Sequence, residues 1–183
     1  MCPLRIFKRI FKLSELDEID LQILRILQQD GREKLNAIAE EVSLSLPSVR
    51  DRLKKIENQG LITGYHALID HKKIGLDITA FVRINIRGSA YYESLIELIE
   101  NLEEVQELHS ITGDGSHLIK VRTKNTSTLE NLLSKIQKCP GLEYTSTSIV
   151  LSTLKESPKL PLHNLSQQDS KKSNEHGSKK DQS

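Results

Sequence analysis

The sequence predicts an α+β protein in two parts, an N-terminal winged helix-turn-helix over residues 16–70 and a ferredoxin-like βαββαβ domain over residues 77–155. Three observations carry this. Before Gly60, apolar residues recur at spacings of three and four in three short stretches, the stripe of an amphipathic helix. From Ile78 the period drops to two, which only a half-buried strand explains. Beyond that strand the pattern runs helix, strand, strand, helix, strand, completing the split-βαβ order.

Leu16, Ile19, Leu21, Ile23, Leu24, Ile26 and Leu27 mark the first helix. Ser14 with Asp17 three residues on resembles a capping box, in which a hydroxyl accepts a first-turn amide and an acid suits the positive helix end. Asp30-Gly31 stops the helix. Leu35, Ile38, Ala39 and Val42 mark a second, shorter helix, and Ser43-Leu44-Ser45 turns the chain into a third. Ser45 is a good N-cap, and Pro47 falls in the first turn, where a missing N–H leaves no bond unmade. Leu46, Val49, Leu53 and Ile56 point one face inward until Gln59-Gly60. The β-prone residues 61–70 follow as a wing, and residues 71–76 form a polar linker containing Gly75.

In the second part, Ile78, Ala80, Val82, Ile84 and Ile86 alternate with Thr79, Phe81, Arg83, Asn85 and Arg87. Residues 91–102 read as a helix with Leu95, Ile96, Leu98, Ile99 and Leu102 apolar. Residues 105–112 and 117–123 read as strands around Gly113-Asp114-Gly115-Ser116, a turn rich in residues that accept positive φ. Residues 126–138 form a second helix, with Leu129, Leu132, Leu133 and Ile136 inside, and residues 144–154 a last strand. Helices cover one face of such a sheet. The bare face needs a partner, and a dimer made through this domain is the natural expectation. Residues 1–15 make a basic, apolar arm with Arg5, Lys8, Arg9 and Lys12. Residues 156–183 are too polar to offset chain entropy and are expected to be a disordered tail.

Composition narrows the function. No apolar run approaches the roughly 18 residues of a membrane span, and charges interrupt the opening stretch too often for a signal peptide. Cys2 and Cys139 alone build neither a disulfide framework nor a cysteine zinc site. The expectation is a cytoplasmic, nucleoid-associated protein with no cofactor and no membrane partner. With 26 Lys and Arg against 25 Asp and Glu the net charge is only +1, so no global positive field announces nucleic acid and any DNA site must be a local patch.

That patch is on the third helix. With Leu46, Val49, Leu53 and Ile56 inside, Pro47, Ser48, Asp51, Lys54 and Lys55 lie opposite, with Arg50 and Arg52 at the edges, and Ser45 caps the end that would enter a groove. Four cations there face only Asp51 and Glu57, while the neighbouring helices are acid-rich. Ser48 and Arg50 or Asp51 are the candidates for base edges, and Arg52, Lys54 and Lys55 for phosphates. A basic helix alone is more often just a solvated face; the cap, the turn, the preceding helix and the wing reverse that balance. His109, Asp114 and His117 gather near one hairpin, but no nucleophile accompanies them, so no catalytic or metal site is expected.

The chain carries Leu16-Asp17-x-x-Asp20-x-x-Ile23-Leu24, Asp30-Gly31-Arg32, Ile38-Ala39-x-x-Val42 and Leu44-Ser45. Arg52-Leu53-x-x-Ile56-Glu57-x-x-Gly60-Leu61-Ile62-x-Gly64-Tyr65 follows, then Val105-x-Glu107, Thr112-Gly113-Asp114 and Leu118-Ile119-Lys120-Val121. In this order, over residues 16–154, they resemble the Lrp/AsnC family, the leucine-responsive or feast/famine transcription regulators. The resemblance implies a DNA-reading head on duplex DNA and an effector and dimerisation domain assembled as dimers, tetramers or octamers. It also implies an amino acid as effector. Two departures stand out: Ser43 occupies a turn where the family often has glycine, and Gly113-Asp114-Gly115-Ser116-His117 replaces a loop that commonly continues with aromatic, Asp and aromatic. Gly113 and Asp114 match and carry over as effector-loop residues. Asp114 would pair with an α-ammonium and loop N–H groups would hold an α-carboxylate; a plain hairpin turn is the alternative. At the level of the whole protein, two rival readings are a nucleoid-organising protein that wraps DNA without an effector, and a small-molecule-binding or enzymatic domain fused to an inert helix-turn-helix.

Overall fold

The computed structural model describes residues 16–162; the N-terminal arm with Ser14, and tail residues 163–183, lie outside the described residues. The chain forms two compact units, one from described residues 16–67 and 157–162, the other Leu68–Glu156.

The first unit holds α1 (Glu18–Gln29), α2 (Leu35–Glu41) and α3 (Leu46–Asn58). Ile23, Ile26, Ile38, Ala39, Val42 and Val49 form its core, with Ile19, Leu27, Leu35, Leu44 and Leu53 packed around them. The cap of α1 differs from expectation. Asp17, not Ser14, is the N-cap: its carboxylate accepts from the Asp20 amide at 2.9 Å and the Asp20 carboxylate accepts from the Asp17 amide at 3.3 Å. Two acids do what a hydroxyl and an acid would do, and two carboxylates suit the positive helix end better.

The wing is also absent as a strand. Residues 63–70 carry no ladder, because among the described residues the first unit has no second strand to pair with, and β-propensity without a partner forms no sheet. One side chain ties this segment back: the Tyr65 hydroxyl donates to Glu57 Oε1 at 3.0 Å. Partial burial, then the Glu57 carboxylate, push the phenol pKa up to about 12, so it stays a donor throughout the physiological range.

The second unit is an antiparallel sheet ordered β2-β3-β1-β4, built from β1 (Ile78–Ile86), β2 (Val105–Ser110), β3 (His117–Thr123) and β4 (Leu142–Ile149). A short 3-10 turn, Ser89–Tyr91, leads into α4 (Tyr92–Glu100), and α5 (Thr126–Ile136) covers the same face. Between sheet and helices Ala80, Val82, Ile84, Leu95, Ile119, Val121, Leu132 and Ile136 are completely buried. The even-numbered apolar residues of β1 all face this core, as the period of two requires. β4 ends at Ile149 instead of residue 154. Ile149 pairs with Ala80, and after a last bond from the Val150 amide to Thr79 O at 2.9 Å, β1 offers little more backbone to pair with.

The residues from 150 to 162 are therefore neither strand nor featureless tail. Glu156 accepts from Lys120 Nζ and from Arg122 Nη2, the latter at 3.0 Å. Within the first unit the Leu160 amide donates to Gln28 Oε1 at 2.6 Å and the Gln28 amide donates back to Leu160 O at 3.3 Å. Polar clips place this stretch, which composition alone reads as too polar to hold.

Candidate DNA-reading helix and effector loop

The N-terminus of α3 is built as the sequence requires. Ser45 is the N-cap, its Oγ accepting from the Ser48 amide at 3.4 Å and lying 2.8 Å from Ser48 Oγ, and Pro47 falls in the first turn. Val49 and Ile56 are completely buried and Leu46 and Leu53 partly so. This fixes the helix's rotation about its axis and leaves Pro47, Arg50, Asp51, Lys54 and Lys55 exposed, with Ser48 half-buried.

Arg52 does not join that face. Its Nη1 donates to Asp17 Oδ2 at 2.6 Å and to Asp20 Oδ1 at 2.7 Å, and the Asp20 side chain is only 1% exposed. The hydrogen bond to Asp20, and then that to Asp17, raise the guanidinium pKa above its ordinary value. A residue expected to hold phosphate instead clamps α3 to the start of α1. A fork of donors meets two carboxylates there, and one of them would otherwise be a buried, unpaired charge. Glu57, the other acid besides Asp51, bonds Tyr65.

The turn between α2 and α3 places Ser43 at φ 55, the one non-glycine residue with positive φ among those described. An L-residue pays roughly 1–2 kcal/mol for that conformation, offset in part by the entropy a glycine would lose on folding. Ser43→Gly should therefore stabilise the first unit by up to about 1 kcal/mol, read as slower hydrogen exchange of α2 and α3 amides; faster exchange would show that the serine hydroxyl carries the turn.

In the second unit, Gly113 and Asp114 are exposed at the tip between β2 and β3, with Gly113 at φ 98 and Gly115 at φ 120. Ser116 stitches the loop to β1: its amide donates to Ile84 O at 3.0 Å, its hydroxyl donates to the same oxygen at 3.2 Å, and the Ile86 amide donates to Ser116 Oγ at 3.1 Å. His117 Nδ1 lies 2.9 Å from that oxygen, and its ring meets Tyr92 edge-on at 4.7 Å. Burial holds the His117 imidazole below its ordinary pKa. The Gly115 amide bonds Gly113 O at 2.9 Å. Two loop amides expected to serve a ligand carboxylate are thus already taken. The histidines of the hairpin separate: His117 sits on the core side, while His109 bonds Glu107 at 3.1 Å among exposed residues.

Two family models match the chain: the AsnC-type helix-turn-helix domain over residues 16–57 and the Lrp/AsnC ligand binding domain over residues 79–160. The chain belongs to the Lrp/AsnC family. The HTH-type transcriptional regulator FL11 of Pyrococcus abyssi is 37% identical over 147 residues, covering 80% of this chain and 97% of that protein. The leucine-responsive regulatory protein of Escherichia coli is 34% identical over 150 residues, covering 80% and 92%. A crystal structure of a transcriptional regulator from Neisseria meningitidis in complex with L-Met superposes with a TM-score of 0.79 at 28% identity, covering 82% of this chain and 99% of that one. This Lrp/AsnC protein is accordingly a transcription regulator with a DNA-binding helix-turn-helix and a ligand-binding domain, in a family without enzymatic activity.

In this Lrp/AsnC chain the sequence reading missed the clamp, although Asp17-x-x-Asp20 is the spacing of an acid at the N-cap and another at the third helical position. Pairing of both acids with a residue more than 30 positions away leaves no local trace. Ser116 as the anchor of the loop was equally invisible, since its partners lie on β1.

Proposed function

We propose that the protein binds operator DNA as a homodimer or an assembly of dimers in the cytoplasm, and that an amino acid bound at the loop carrying Gly113 and Asp114 changes that affinity. On this reading Ser48, Arg50 and Asp51 meet base edges, Lys54 and Lys55 hold phosphates, and Ser45 and Pro47 set the helix end that enters the groove. The observation that carries it is the rotation of α3: its aliphatic edge is buried and its cationic edge exposed, with Arg52 and Glu57 engaged elsewhere. The bare face of the sheet supports a second copy as partner. Phe81 and Tyr144 are 38% and 48% exposed there, beside Lys120 and Arg122 neutralised by Glu107 and Glu156.

Coupling would act through geometry. Two reading heads must meet half-sites about one helical turn, roughly 34 Å, apart, so an effector that alters subunit packing alters affinity. The test is footprinting of genomic fragments with and without each amino acid. A defined site whose occupancy shifts with one amino acid is expected; long, evenly spaced protection indifferent to amino acids would replace this reading with DNA wrapping.

A further inference from the structure

We infer that residues 156–160 are a latch on the DNA-reading unit: anchored at Glu156 and at Leu160, they join it to the second unit a second time and so narrow the half-site spacings the protein accepts. The inference rests on the reading of the protein as a dimer whose two heads meet spaced half-sites. The chain crosses between the two units twice, between Ala67 and Leu68 and again between Glu156 and Ser157. A head joined through the first crossing alone would depend on the polar linker of residues 71–76 for its orientation; the second crossing decides how much freedom is left.

Three observations carry it. First, every amide between Pro158 and Pro161 is engaged. The prolines have no N–H, the Lys159 amide donates to Ser157 Oγ at 3.2 Å, and the Leu160 amide donates to Gln28 Oε1 at 2.6 Å. The Gln28 amide returns a bond to Leu160 O at 3.3 Å, so one side chain holds both backbone groups of one residue. Second, Glu156 is anchored in its own unit. Lys120 Nζ donates to its Oε1, and Arg122 Nη2 donates to both of its oxygens at 3.0 Å. Lys120 and Arg122 are half-buried, so water screens these pairs less than at an open surface. Only Ser157, Pro158 and Lys159 separate the two anchors, and proline fixes one φ among them, so the joint has little slack. Third, apolar burial does not explain the placement: Leu151, Leu154 and Leu160 are 97%, 95% and 69% exposed.

Gln28 stands on α1, and α1 is joined to α3 by the bonds from Arg52 to Asp17 and Asp20. A hold on Gln28 is therefore a hold on the reading helix. Because the latch buries little apolar surface and consists of a few polar bonds, it opens at less cost than either unit unfolds. Two heads restrained at this joint meet one spacing with little left to order, whereas released heads reach several spacings and must be ordered at each. Lys120 and Arg122 lie on the sheet face assigned to a second copy. The latch needs no free surface there, since its partners belong to the same chain, and cover by a copy would shield the ion pairs further.

The test uses the full-length protein and duplexes it selects from a random library. Affinity for these is compared with affinity for the same duplexes carrying about two extra base pairs between the half-sites, which turn one half-site by roughly 70°. The insertion should weaken wild-type binding at least about fivefold more than binding by Leu160→Pro, which lacks the amide donor, or Gln28→Ala, which lacks its acceptor. Glu156→Ala, which opens the other anchor, should behave like these two. Leu160→Ala keeps both backbone groups and should match wild type, so the measurement reads the backbone bonds and not the leucine side chain. Amide exchange gives a readout independent of DNA: the Leu160 amide should exchange more slowly in wild type than in Gln28→Ala. Equal exchange in the two, or the same insertion penalty in wild type, Leu160→Pro and Gln28→Ala, would overturn the latch while the dimeric operator reading stands. If wild type selects no duplex, both fall.

Discussion

Alanine at Arg50, Lys54 and Lys55 together should lower operator affinity by at least about two orders of magnitude near 0.1 M salt, and the loss should divide into two readouts. Lys54 and Lys55 are exposed on α3 and assigned to phosphates. Each contact removed should reduce the slope of log affinity against log salt by roughly 0.9 per reading head, because fewer condensed counterions are released. Arg50 is assigned to a base edge. Its removal should relax discrimination at one base pair by about 1–3 kcal/mol with a smaller change in slope. Fluorescence anisotropy across a salt series, repeated with operators substituted at single positions, separates the two. Unchanged affinity and slope in the triple variant would place the DNA surface elsewhere on the molecule.

Asp20→Ala should loosen the whole helix-turn-helix unit. Its carboxylate is nearly inaccessible, accepts from Arg52 at 2.7 Å and closes the capping box with Asp17. Removing one member of a buried pair commonly costs about 3–5 kcal/mol. Here about 2–3 kcal/mol is expected, since the Arg52 side chain is 30% exposed and keeps Asp17. Hydrogen exchange of α1 to α3 amides in the full-length protein reads this directly, and protection unchanged from wild type would show the clamp to be idle.

The same clamp has an acid limb. Partial burial pulls the Asp17 carboxyl upward, but hydrogen bonds from the Asp20 amide and Arg52, with the charge of Arg52, outweigh it and hold the group below its ordinary value. A carboxyl depressed in the folded state stabilises fully above its unfolded pKa, about 4. That contribution fades as pH falls through the lower folded value. Exchange protection of α1 should accordingly fall on the acid side, below roughly pH 4, and not between pH 6 and 8.

Patterns that repeat along the chain were legible at once. The spacing of Leu46, Val49, Leu53 and Ile56 determines which edge of α3 is buried, and the alternation from Ile78 to Ile86 determines which side of β1 meets the helices. Ser45 and Pro47 announce the start of α3 because capping is chemistry between neighbours in sequence. The wing misled for a related reason: residues 61–70 have the composition of a strand, but a strand exists only with a partner, which composition does not supply.

By itself, then, the sequence determined the order of elements, the cationic edge of α3 and the family, all from local periodicity and motif order. Only the tertiary structure decided what each charge does. It turned Arg52 inward to Asp17 and Asp20, set Glu57 against Tyr65, tied the loop through Ser116 to β1 and closed Glu156 on Lys120 and Arg122. The physical reason is range. Backbone propensity and helical spacing act over a few residues, whereas the partner of a buried or half-buried polar group is whatever the fold brings within about 3 Å.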